Sequence, residues 1–220
     1  GKCTFKRKML QAQKTSAPVA NTDNHNRKKQ YILEEGTVIP PLVDMGIFTQ
    51  EGKVVRSMYD KYRQINRFIE LIDDAVRDTK ATQLNVIDFG CGKSYLTFIL
   101  YYYLTEVKGR EVYMLGADLK RDVITWCDAL ARELGYYGMH FVTADITTLK
   151  YESSPDMVIS LHACDIATDI VIGKAIEWQA DVILSTPCCH HEMNHTLNCS
   201  TLSFIAEHSM LRQKLCDAAT

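Results

Sequence analysis

Three features of the chain predict an α/β fold in which helices cover both faces of a parallel sheet. Short apolar runs recur at about 84–89, 112–117, 139–143, 157–162 and 181–186. Helical segments alternate with these runs throughout, starting near Ser94, Lys120 and Asp165. The first run also breaks into a Gly-x-Gly turn that leads directly into a helix, in Asn85-Val-Ile-Asp-Phe-Gly-Cys-Gly-Lys-Ser94. Strand–helix alternation implies parallel strands joined by right-handed crossovers. Ligands of such sheets bind outside the carboxyl ends of the strands, near the point where strand order reverses.

The elements follow in order. Residues 1–30 hold eight Lys or Arg (Lys2, Lys6, Arg7, Lys8, Lys14, Arg27, Lys28, Lys29) against Asp23 alone, a charge of +7. The whole chain carries −2, so residues 31–220 carry −9. That asymmetry points to a polyanionic partner, and RNA is the one expected. Thr15 to Asn26 is rich in Ser, Thr, Asn and Pro and reads as a loop or mobile arm. Residues 31–52, with Pro40-Pro41, Gly36, Gly46 and Gly52, read as irregular structure and turns. An amphipathic helix follows, with Met58, Tyr62, Ile65, Ile69, Ile72 and Val76 alternating in steps of four and three. Its outward Lys61, Arg63 and Arg67 read as a solvated face. Val86 and Ile87 mark the first strand. Leu96, Ile99, Leu100, Tyr103 and Leu104 mark the helix after it, and Val123, Trp126, Cys127, Leu130 and Leu134 the next. A last helix is expected around Leu202, Ile205, Ala206 and Ser209.

Composition sets outer bounds. The 220 residues are 46% hydrophobic and 24% charged, which suits one globular domain with an appendage. The division expected is an arm and irregular segment over 1–52 and a catalytic domain over 53–220. No run approaches the roughly 18 apolar residues of a membrane span, and the polar, basic start lacks a signal peptide's pattern. The eight cysteines form no CxxC pair or regular framework. Reduced thiols and a cytoplasmic location are therefore expected.

The glycine turn is the most specific chemical signal. Glycines let a backbone approach a ligand closely, and the helix start offers free amide donors. A phosphate-binding P-loop needs Gly-x-x-x-x-Gly-Lys-Ser/Thr. Gly92-Lys93-Ser94 supplies its end, but position 87 is Ile rather than Gly. A dinucleotide fingerprint needs a third glycine at position 95, which is Tyr. Both readings fail, and Asp88, Gly90 and Gly92 remain: an acid two places before Gly-x-Gly. Two later runs also end in an acid, Val112 to Asp118 and Met139 to Asp145. Asp118 lies 28 residues after Gly90, near the place of a ribose-binding acid. Each terminal Asp also suits the bland role of a helix N-cap.

Asp88, Gly90 and Gly92 resemble motif I of the class I S-adenosylmethionine-dependent methyltransferases. The ligand has no phosphate and carries a cationic sulfonium and an amino-acid end, so a carboxylate beside the turn suits it. The resemblance implies a Rossmann-like sheet with S-adenosylmethionine as cofactor. It implies contacts at Asp88, Gly90, Cys91, Gly92, Asp118, Leu119, Asp145, Ile146 and His162, with Asp118 on the ribose and the third acid near the adenine amino group. It also implies seven strands, so a chain reaching a fifth strand and a helix is expected to be truncated before the last two.

Two later clusters extend the resemblance. Ser160-Leu-His-Ala-Cys-Asp-Ile-Ala-Thr-Asp169 follows the fourth run, and Ser185-Thr-Pro-Cys-Cys-His-His-Glu192 the fifth. With motif I they resemble a branch of uncharacterised methyltransferases related to the eukaryotic tRNA acceptor-stem 2′-O-methyltransferase family. Leu161, Ala167, Thr168, Asp169 and Cys188 to His191 match that family's stretches. His162-Ala163-Cys164-Asp165 departs from them, and the family's accessory Cys/His zinc modules are missing. Four adjacent residues, Cys188 to His191, do not readily close a tetrahedral metal site, and no metal is expected. His162, Asp165, Cys188 and His190 are the expected catalytic group: polar, titratable side chains flanking the methyl donor. The expected activity is methyl transfer to RNA, tRNA or rRNA. A small-molecule or protein acceptor, or a non-catalytic binding module, is the alternative.

Overall fold

A computed structural model describes residues 31–79, 81–93, 95–161, 163, 166–186, 191–198 and 200–219. The basic arm, with Arg27 to Lys29, lies outside the described residues. Five strands form one sheet in the order β3-β2-β1-β4-β5: β1 Gln83–Phe89, β2 Glu111–Asp118, β3 Met139–Thr143, β4 Met157–Ser160 and β5 Val182–Ser185. Every pairing is parallel. Strand order reverses between β1 and β4, so the carboxyl end of β1 is the crevice where the expected ligand belongs.

The strands alternate their burial between two cores. Leu84, Val86, Val112, Met114, Met157 and Ile159 pack on one face, and Ile87, Phe89, Ala117 and Val158 on the other. The first face is covered by α1 (Pro40–Asp44), α2 (Tyr59–Val76), α3 (Tyr95–Tyr102) and α4 (Arg121–Glu133). The second is covered by α5 (Ile166–Glu177), through Val171 and Ala175, with Trp178 stacked on Phe89. Helices therefore lie on both faces, as the alternating pattern implies.

Four details differ from the expectation. The connection between β3 and β4 holds no helix; it makes turns on Asp145 and crosses the second face, where Tyr151 meets the Trp178 ring. Residues 31–52 are more than irregular. They contain α1, their Phe48 forms a bridge with Val54, and they bury Leu33, Ile39, Leu42 and Ile47 in the same core cluster as α2 and α3. A short helix α6 (His191–Thr196) follows the fifth strand. The last helix divides into α7 (Ser203–Ala206) and α8 (Ser209–Ala219). Arg212 of α8 donates to the carbonyls of Asn194, His195 and Leu197 and so binds the end of α6. Among the described residues no helix is long and apolar enough to cross a membrane.

Candidate functional site

The glycine turn is built by β2. The amides of Gly90 and Cys91 both donate to the Ala117 carbonyl, at 2.9 and 3.3 Å, continuing the sheet one step past β1. The Gly92 amide donates to Asp118 Oδ2 at 2.9 Å, and the Lys120 amide to Asp118 Oδ1 at 2.9 Å. Gly90 and Gly92 have φ of 64° and 54°, which a side chain would strain. Gly116, opposite Asp88 in the register, leaves room for Phe141 and the Cys91 thiol; a Cβ there would meet the Phe141 ring at 2.5 Å. Cys91 is thus buried side chain first, and what it can offer a ligand is backbone. From the other side the Cys127 thiol of α4 donates to the Gly92 carbonyl at 3.5 Å.

Two cavities flank this turn. One, about 260 Å³, opens at the carboxyl ends of β1, β2 and β3. Gly90, Asp118, Leu119, Asp145, Ile146 and Ala163 line it. The sequence-expected acids of β2 and β3 therefore meet in one place, with apolar Leu119 and Ile146 beside them. Asp118 has already accepted two amides, so its carboxylate is oriented before any ligand arrives. The Thr147 hydroxyl and amide both donate to Asp145 Oδ1, at 2.7 and 2.8 Å. These two bonds hold the Asp145 carboxyl below the usual carboxylate range. Two fixed carboxylates beside apolar walls suit a nucleoside, whose hydroxyls and exocyclic amine are donors and whose ring is apolar.

The other cavity, about 390 Å³, lies between the turn, α2 and the start of α3. Asp88, Cys91 and Thr97 line its inner part, with Leu161 from the end of β4. Lys61, Gln64 and Phe68 of α2 line its outer part, with Met45, Lys93 and Tyr95. Asp88 is 3% exposed, and Thr97 donates its hydroxyl to Asp88 Oδ2. Burial pushes the Asp88 carboxyl up to about 7; the Thr97 hydroxyl opposes the rise and the Asp118 charge adds to it.

The structure brings together Asp88, Gly90, Cys91, Gly92, Asp118, Leu119, Asp145 and Ile146. The expected catalytic group, His162, Asp165, Cys188 and His190, lies outside the described residues. Its surroundings are described. Leu161 lines the larger cavity and Ala163 the smaller. The two late loops are also joined at their bases. Thr186 donates its amide to the Ser160 carbonyl and its hydroxyl to the Leu161 carbonyl, both at 3.0 Å. Thr168 donates to the Ala163 carbonyl at 2.8 Å.

Sequence reasoning missed Thr97, Cys127 and the α2 wall. It assigned Lys61 to a solvated face; Lys61 is exposed and also lines the larger cavity. The signal was available. Lys61, Gln64, Ile65 and Phe68 stand at i, i+3, i+4 and i+7, a second stripe beside the buried one.

The chain is similar to several known proteins. Curated relatives include the glutathione S-transferase C-terminal domain-containing proteins of Mus musculus, 24% identical over 141 residues, and Xenopus laevis, 22% identical over 140. The matched part is 62% of this chain and 20% of the mouse protein, and 64% and 21% for the frog protein. The chain thus spans about a fifth of the length of these relatives. Similar solved structures include magnesium protoporphyrin IX methyltransferase from Synechocystis with bound SAH, at TM-score 0.44 and 22% identity, covering 60% of each chain. Coclaurine N-methyltransferase bound to N-methylheliamine and SAH gives TM-score 0.40 and 16% identity, over 52% of this chain and 32% of that one. A family model described as a methyltransferase domain matches residues 60–196, from the start of α2 through α6 and thus through both cavities. With its parallel sheet and glycine turn, the chain belongs to the methyltransferase domain family.

Proposed function

We propose that this domain transfers the methyl group of S-adenosylmethionine to an RNA acceptor. The observation that carries the donor half is the placement of two cavities on opposite sides of one glycine turn, the smaller holding both Asp118 and Asp145. The adenosine fits the smaller cavity, with Asp118 accepting from the ribose hydroxyls and Asp145 beside the adenine amine. The amino-acid end fits the inner part of the larger cavity, near Asp88. When bound, S-adenosylmethionine supplies a methyl group on a cationic sulfur, open to in-line attack by an oxygen or nitrogen nucleophile.

The protein's share is mainly alignment, which is worth several kcal/mol when donor and acceptor are held in a near-attack geometry. The amide bonds to Asp118 and the Thr186 bonds between the late loops give the site that rigidity. His162, placed in the chain between residues of the two cavities, is the proposed acceptor of the proton that leaves the nucleophile. A neutral imidazole is well tuned to that task near pH 7. The RNA half rests on the +7 charge of residues 1–30.

Two variants test the reading. Asp118→Ala removes two charge-assisted hydrogen bonds to the ribose and is expected to cost roughly 2–4 kcal/mol of S-adenosylmethionine binding by calorimetry. Unchanged affinity would overturn the placement. His162→Ala is expected to slow methyl transfer from labelled donor to RNA by about a hundredfold with donor affinity retained. Loss of donor binding and thermal stability together would make His162 a packing residue instead.

A further inference from the structure

The larger cavity is bigger than the amino-acid end of the donor requires, and its outer wall has a chemistry of its own. Three residues of that wall come from one stripe of α2: Lys61, Gln64 and Phe68. Tyr95 and Lys93 face them from the glycine turn and the start of α3. The wall thus combines two aromatic rings, one amide and two ammonium groups. The cations differ from their neighbours on α2. Arg67 pairs with Glu70 at 2.9 Å and Arg63 with Asp60 at 3.9 Å, both within the helix. Lys61 and Lys93 have no ion pair among the described residues. Asp88, the acid of this cavity, sits at its buried inner end and holds its proton to about pH 7. The cations of this cavity thus stand at its outer rim and its acid at the buried inner end.

We infer that the outer part of this cavity receives a single nucleotide of the RNA acceptor, its base against Phe68 and Tyr95 and its flanking phosphates on Lys61 and Lys93. Aromatic faces accept any base by stacking, and free ammonium groups follow the phosphate backbone. Gln64 offers both a donor and an acceptor to a base edge. The position is the one the reaction needs, because the acceptor then lies on the open side of the glycine turn, opposite the adenosine cavity. Lys61, Gln64 and Phe68 become the residues that select the acceptor. This inference rests on the RNA reading above.

The test is binding of a fluorescein-labelled, mixed-sequence, single-stranded RNA to the full chain, by anisotropy over a range of salt. Affinity for S-adenosylhomocysteine is measured in parallel by calorimetry. Lys61→Glu, at an exposed position, is expected to weaken RNA binding about fivefold or more and to reduce the log–log salt slope by about 0.7, one single-strand phosphate. Phe68→Leu keeps the apolar bulk that α2 packs on the core and loses the ring; it is expected to weaken RNA binding about fivefold or more. Both variants should keep S-adenosylhomocysteine affinity within about twofold. If the natural chain binds RNA and neither variant changes affinity or slope, the inference is overturned and the RNA reading stands. A fall in S-adenosylhomocysteine affinity matching any fall in RNA affinity would assign the whole cavity to the donor and overturn it too. A natural chain that binds no RNA overturns both.

Discussion

Asp88 comes to the glycine turn from β1 as a buried carboxyl whose described partner is the Thr97 hydroxyl. Its pKa is raised by burial to about 7, against about 3.9 for an unfolded Asp. In the folded protein the protonated form is favoured, so the stabilising contribution is complete below about pH 4. It declines as pH rises toward 7, because the unfolded chain ionises first, and is gone above. Stability of the ligand-free protein should therefore fall across pH 4–7 by an amount on the order of a few kcal/mol from this group. Asp88→Asn should flatten that slope in denaturant melts taken across the range; an unchanged slope would assign it to other groups. Donor affinity should move the opposite way. A cationic ligand favours the ionised carboxylate, so binding should tighten as pH passes 7 in the natural chain and stay level in Asp88→Asn.

At the scale of elements, α2 does two jobs with two stripes. Tyr62, Ile65, Ile69, Ile72 and Val76 are buried against the sheet and the 31–48 segment. Asn66, also fully buried, holds that segment in place: its Oδ1 accepts from the Leu33 amide at 2.9 Å, and its Nδ2 donates to the Tyr62 carbonyl at 3.2 Å. The Tyr62 hydroxyl donates to the Leu33 carbonyl at 2.6 Å. Asn66→Ala leaves the Leu33 amide buried without an acceptor, which costs about 1–3 kcal/mol. In a body of this size that corresponds to a melting temperature lowered by about 4–8 °C for a cost near 2 kcal/mol. Arg63→Ala, on the exposed side of the same helix, removes a long surface ion pair worth close to nothing. A thermal melt of both variants checks the contrast. Equal shifts would show that burial of Asn66 carries no special weight.

At the scale of the whole molecule, charge and topology act together. The sheet order puts the reversal at the carboxyl end of β1, so the glycine turn, both strand-terminal acids and the bases of both late loops meet at one edge. The +7 arm is proposed to supply electrostatic affinity for RNA and the site to supply the chemistry. Removing residues 1–26 and replacing Arg27, Lys28 and Lys29 by Ala should weaken RNA binding and lower its log–log salt slope by about 0.7 for each phosphate no longer neutralised. Donor binding should be unaffected in the same protein. An unaltered salt slope would show the arm to be a solvated tail.

Much of this arrangement was legible in the sequence because it is carried by local pattern. The five apolar runs, the Gly-x-Gly turn and the acids at 88, 118 and 145 depend on backbone period and on glycine's tolerance of positive φ, both properties of short segments. The buried stripe of α2 was legible for the same reason. The segment over 31–52 was not, since its Pro and Gly residues signal turns while its burial depends on Asn66 and Tyr62, 29 to 33 residues away. Alternation throughout was too general a reading for the stretch between β3 and β4, where no helix start was placed and the chain crosses the sheet as turns. By itself, then, the sequence determined the α/β class, the glycine turn after β1 and the acids at the ends of the first three strand runs, because period and turn chemistry are local. Tertiary structure alone decided that Asp88 is buried and neutral-leaning while Asp145 is exposed and ionised, that Asp118 is pinned by Gly92 and Lys120, and that the exposed Lys61 stands at the mouth of a cavity. Those outcomes depend on which distant segments exclude water from a side chain, and no local pattern encodes that.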